Sequence, residues 1–169
     1  PVTAWRLPGF DDTAWVSGPA PFGFGDLPLG TDLSQTDPPM RSHYSTFYLR
    51  RTFEVEGALD IRQLHALVDY DDGFIVWVNG VEVLRVNAPA LQVPHDGRAT
   101  AGHESGDYVE FALPEPKDYI TTGTNTISAH ALNASVGNND ARFALELLDS
   151  TGPDRTPPFV EMVAPEPDT

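Results

Sequence analysis

One segment constrains the fold more than any other. It runs Phe74-Ile75-Val76-Trp77-Val78, then Asn79-Gly80, then Val81-Glu82-Val83-Leu84-Arg85-Val86. Asn-Gly supplies the two positive-φ positions of a type I′ turn, and both flanks are β-branched or aromatic, so the segment predicts a β-hairpin. With Asn79 and Gly80 as the turn residues, Val78 faces Val81, Val76 faces Val83 and Phe74 faces Arg85. On the other side Trp77 faces Glu82 and Ile75 faces Leu84.

The rest of the chain reads in the same way. Residues 48–55 alternate, with Leu49, Phe53 and Val55 on one face, and residues 64–69 alternate with Leu64, Ala66 and Val68 on one face. Further strands are expected over 108–113, 124–132 and 141–148, the last with Phe143, Leu145 and Leu147 aligned. The helical spacing is best approached around 58–67, where β-branched and His neighbours weaken it. The 14 Gly and 16 Pro are concentrated in places. Residues 18–39 hold nine of them, from Gly18 to Pro39, which no helix survives because Pro removes a donor and Gly costs backbone entropy. That stretch is expected to be a long ordered loop with Phe22 and Phe24 tucked beneath it as a satellite core, and 87–106 a second long loop. Six or seven short strands and no amphipathic helix predict an all-β, antiparallel two-sheet sandwich of jelly-roll type.

Composition excludes several classes of function. The chain has 169 residues and no cysteine, which removes disulfides, thiolate metal sites and thiol nucleophiles. A net charge of −15 argues against nucleic acid and anionic membrane as partners, because there is no basic surface to release counterions. No apolar run approaches the roughly 18–20 residues of a membrane span, so membrane insertion is not expected. After Leu148 the segment Gly152-Pro153-Asp154-Arg155-Thr156-Pro157-Pro158 has linker chemistry, placing a domain boundary near 149–158.

Five motifs in order carry a family resemblance. They are Phe10-Asp11-Asp12-Thr13-Ala14-Trp15 with Gly18 to Asp26, Tyr48-Leu49-Arg50-Arg51-Thr52-Phe53, Asp71-Asp72-Gly73 leading into Val78 to Arg85, Gly123-Thr124-Asn125-Thr126-Ile127 with His130, and Asp140-Ala141-Arg142-Phe143. Over residues 1–148 the chain resembles a galactose-binding-domain-like β-sandwich of large secreted multidomain bacterial proteins. Members usually carry a further strand ahead of the Trp segment, so the first strand is expected either to be missing here or to lie in a preceding piece of the parent protein. Residues 149–169, with Asp154 to Val160, resemble a linker and the entry to a bacterial immunoglobulin-like domain. Fold alone does not assign function.

Catalysis is not expected, since Gly-x-Ser-x-Gly, His-Glu-x-x-His and phosphate-loop motifs are all absent from the sequence. A glycan site needs planar donors, acceptors and an aromatic face. Arg50, Arg85, Asn87, His130, Asn133 and Asp140 lie in or beside the resemblance motifs and supply the polar part, with Trp77, Tyr44 or Tyr108 as the platform. The alternative is structural: an Arg85–Asp140 ion pair and a satisfied strand histidine at His130. Trp15 is assigned to the core. Asp69-Tyr70-Asp71-Asp72-Gly73 is the densest acidic cluster. Asp71 and Asp72 either hold calcium, as paired Asp residues do in protective-antigen-type sugar-binding domains, or accept backbone N–H groups in a turn. The expected function is a non-catalytic carbohydrate-binding accessory module, extracellular or at the cell surface. Its partners would be a glycan, neighbouring domains and neighbouring subunits. The alternative is a structural or adhesive domain of a multidomain stalk or filament.

Overall fold

The computed structural model describes residues 3–26, 28–57 and 61–149, and the backbone of 160–161. Its strands are β1 (Phe22–Phe24), β2 (Thr31–Asp32), β3 (Thr46–Val55), β4 (Leu64–Asp71), β5 (Gly73–Val78), β6 (Val81–Val86), β7 (Val109–Ala112), β8 (Gly123–Leu132), β9 (Ala141–Asp149) and β10 (Val160–Glu161). They form a β-sandwich. One sheet has the order β2-β1-β9-β4-β7, with β10 also on β9, and the other has the order β3-β8-β5-β6. All pairings are antiparallel except β1 with β2. The helices among the described residues are single 3-10 turns, and none is long and apolar enough to cross a membrane.

The period-2 pattern builds the core. Phe47, Leu49, Phe53 and Val55 of β3, Ile127, Ala129 and Ala131 of β8, and Phe74, Val76 and Val78 of β5 face the other sheet's Val68, Tyr70, Phe143, Leu145 and Leu147. The hairpin forms as expected at its tip, with Asn79 and Gly80 at φ 50° and 84° and Val78 opposite Val81. Beyond Trp77–Glu82 the register shifts, so Val76 pairs with Leu84, Ile75 with Arg85 and Phe74 with Val86. A bulge at Val83 explains the departure from the expected Val76–Val83 and Phe74–Arg85 pairs, since one extra residue on β6 displaces every pair beyond it. Asn79 also ties the tip to β8: its Nδ2 donates to Tyr119 O and Asn125 Oδ1, and its Oδ1 accepts from Thr126 N.

Two expectations change. Phe22 and Phe24 are not a satellite core; they belong to β1, which pairs with β9 through Phe22–Phe143 and Phe24–Ala141, inside the main core. Gly23 makes this close pairing feasible, because a Cβ there would lie 1.9 Å from Ala141 O. Of the segment expected to start another domain, 150–159 and 162–169 lie outside the described residues. Val160 and Glu161 pair with Leu147 and Glu146 of β9.

The outer face of the four-stranded sheet is covered. Trp5 from the N-terminal segment and Val93 from the 87–106 loop pack on Ile75, Trp77 and Leu132, with Phe10, Trp15 and Tyr48 at the margin. That cover decides the fate of most candidate site residues.

Candidate functional site

Strand alternation puts Arg50, Ser128, His130 and Trp77 on the covered face, in register across β3, β8 and β5. Trp77 is 3% exposed, edge-on to Trp5 at 5.5 Å, with the Arg6 guanidinium 3.9 Å from its ring centre. It is no open platform. Arg50 is 6% exposed. Its guanidinium donates to the carbonyls of Trp5, Leu7 and Phe10 and to Asp12 Oδ2 at 2.5 Å, so it holds the N-terminal segment down. His130 is fully buried, stacked on Tyr48 at 4.3 Å, with neither ring nitrogen hydrogen-bonded. Burial, with Arg6 and Arg85 nearby, pushes its pKa down to about 3, which keeps the ring neutral.

The remaining candidates also have structural partners. Arg85 makes a two-pronged pair with Glu82 at 2.6 and 2.7 Å, not the ion pair with Asp140 considered above, and also donates to Pro89 O. Asn87, at φ 48°, donates to Asp72 O. Asn133 donates to Asp140 O at 2.7 Å and accepts from Asn138. The sequence set thus does not converge on one glycan site: Trp77, Arg50 and His130 lie under the N-terminal cover, Arg85 lies on β6, and Asn87, Asn133 and Asp140 lie near the acidic end.

At that end the sheet topology does converge. β1, β9 and β4 are neighbours and antiparallel, so the C-terminal ends of β1 and β4 meet the N-terminal end of β9. Asp26, Asp71 and Asp140 sit at these ends, and one carboxylate oxygen from each lies within 4.8 Å of the others. Gly25, at φ 85°, permits the approach, since a Cβ there would lie 2.4 Å from Asn139 O and 2.9 Å from Asp140 Cα.

Asp71 and Asp72, joined by a cis peptide, are used differently. Asp72 accepts from His103 N (3.0 Å), Ala134 N (2.6 Å) and Asn138 Nδ2 (3.3 Å), all distant in sequence and none within a local turn. Asp69 is also occupied, by Arg142 at 2.6 Å and Gly106 N at 3.0 Å. Asp71 is 2% exposed and neither carboxylate oxygen has a hydrogen-bond partner. Burial, then the charges of Asp72, Asp140, Glu104 and Asp26, push its pKa up to about 8. Asp140 is also raised, by burial and by Asp26, Glu104 and Asp72. The carboxylates that gather around Asp71 here are those of Asp26 and Asp140, distant in sequence. The only local signal for Asp26 is its place after Gly25 in a resemblance motif.

A second feature is an open cleft of about 300 Å³ along β3, the edge strand of its sheet. Its lining includes Asp12, Trp15, Val16, Thr36, Asp37 and Tyr44. Trp15 is half-buried and packs edge-on to Phe10 at 5.9 Å, so it lines the cleft as well as packing against the outer-face cluster. Tyr44 is fixed by a 3.0 Å hydrogen bond to Thr36 Oγ1.

No protein-family model matches the chain and no curated protein matches it, so the galactose-binding-like resemblance rests on the motifs alone. Solved structures do match in part. A Streptomyces avermitilis α-L-rhamnosidase is 24% identical over 73% of this chain and 11% of its own, at a TM-score of 0.45. A β-glucuronidase of glycoside hydrolase family 2 is 17% identical over 79% of this chain and 12% of its own, at 0.46. A family 2 member from Bacteroides cellulosilyticus is 18% identical over 85% of this chain and 18% of its own, at 0.45. The chain thus spans less than a fifth of any of these three structures.

Proposed function

We propose that the chain is a non-catalytic carbohydrate-binding accessory module, acting outside the cell or at its surface beside other domains of its polypeptide. The observation that carries this is the β3 cleft, whose lining includes the aromatics Trp15 and Tyr44 and the carboxylates Asp12 and Asp37. Sugar rings present apolar C–H faces to aromatic planes and hydroxyls to carboxylates, and the cleft volume lies at the lower end of the range for small-molecule sites. Calorimetry against a panel of neutral polysaccharides tests it. At least one should bind, and Trp15→Ala and Tyr44→Ala should each weaken binding by about tenfold or more. No binding across the panel, or binding that both variants leave unchanged, overturns the proposal.

The structural or adhesive alternative has one observation in its favour. Among the described residues no strand pairs with the outer edge of β3, and an open edge accepts a strand from another chain. Concentration-dependent self-association without glycan binding would favour it.

A further inference from the structure

We infer that Asp26, Asp71 and Asp140 together hold one calcium ion at the end of the six-stranded sheet. Acidic residues clustered on a surface would not by themselves suggest this. The deciding observation is Asp71, a carboxylate 2% exposed with both oxygens lacking any hydrogen-bond partner. A buried carboxylate without donors is costly and rarely persists unless something satisfies it. Its neighbours are satisfied: Asp72 by two backbone amides and Asn138, and Asp69 by Arg142 and Gly106 N. Arg142, which pairs with Asp71 across β4 and β9, is thus already engaged by Asp69. What Asp71 meets instead is one oxygen each from Asp26 and Asp140, within 4.8 Å.

That donor set suits calcium. Calcium accepts carboxylate oxygens at about 2.3–2.6 Å in a flexible geometry, whereas magnesium, at about 2.0–2.1 Å, demands a near-ideal octahedron. The donors are all hard oxygens, which disfavours zinc. The framework is built as well. Asn133 fixes the Asp140 carbonyl, Ser105 Oγ donates to Asp26, and Gly25 permits the two loops to close. Three carboxylates from three strand ends leave further coordination positions for water or carbonyl oxygen. The site is separate from the β3 cleft, so it stands or falls independently of carbohydrate binding.

The test is calorimetry and thermal unfolding of the full chain, dialysed against chelator and titrated with calcium chloride alone. One site per chain is expected. At a hundredfold excess over Kd the Tm should rise by about 5–10 °C. Asp71→Asn should weaken calcium binding by about tenfold or more, and magnesium at equal concentration should give a smaller shift. Asp140→Asn serves the same purpose should the first variant fail to fold. No heat and no Tm change up to about 10 mM calcium, an affinity unchanged in the variant, or tighter binding of magnesium overturns the assignment.

Discussion

Two buried charged residues of this molecule, Arg50 and Asp71, differ in whether the fold supplies their hydrogen-bond partners. Beneath the N-terminal segment, Arg50 is almost wholly buried, and its guanidinium donates to three carbonyls and Asp12. At the acidic end Asp71 is buried just as deeply, and both its oxygens are unpartnered. Residue type and burial alone would rank the two alike. Hydrogen-bond satisfaction distinguishes them, because a satisfied buried charge is complete within the fold and an unsatisfied one is not.

The strongest challenge to this contrast is Arg50→Ala. It leaves three carbonyls and the Asp12 carboxylate without their donor and should cost about 3–5 kcal/mol in urea unfolding, with the N-terminal segment released from the sheet. A loss under about 1 kcal/mol would mean that the cover is held by Trp5 packing instead. A finer test lies within the adjacent pair. Asp72→Ala removes an acceptor from two backbone amides and Asn138 and should cost about 3 kcal/mol. Asp71→Asn, measured without added cation, should lie within about 1 kcal/mol of wild type, since no hydrogen bond is lost. Equal destabilisation of the two variants would erase the distinction between them.

The last effect is spread over pH. His130 has its pKa lowered in the fold to about 3, by burial and by Arg6 and Arg85, whereas an unfolded histidine titrates near 6.5. Between these values the unfolded chain binds a proton that the folded chain does not. Stability from this group is therefore fully present above about pH 6.5 and is lost as pH falls toward about 3, by up to about 1.4 kcal/mol per pH unit. His130→Phe should flatten that part of the profile relative to wild type. A variant profile parallel to wild type would show that the acid sensitivity arises elsewhere.

Much of the fold was legible in the sequence, and the residues show why. Alternation in residues 48–55, 64–69, 124–132 and 141–148 reports which face is buried, and Asn79-Gly80 specifies its own turn. The Val83 bulge escaped because an extra residue leaves no mark in a strand such as Val81-Glu82-Val83-Leu84-Arg85-Val86, where apolar residues are also adjacent. β1 escaped because Gly23 reads as loop chemistry, although it is there to let two backbones touch. The site was harder. Asp71 and Asp72 stand out in the sequence, yet only one of them lacks donors.

The sequence by itself determined the all-β class, most of the strands and the residues that could carry polar chemistry, because periodicity and turn propensity are local properties. The tertiary structure alone decided which polar residues are used up. His130, Arg50 and Trp77 alternate outward from the core as solvent-facing residues do, and they are buried only because Trp5 and its neighbours fold over them. Asp26, Asp71 and Asp140 are far apart along the chain and meet only because β1, β9 and β4 are neighbours that end together. Convergence and satisfaction are properties of three-dimensional contact, and spacing along a chain does not encode them.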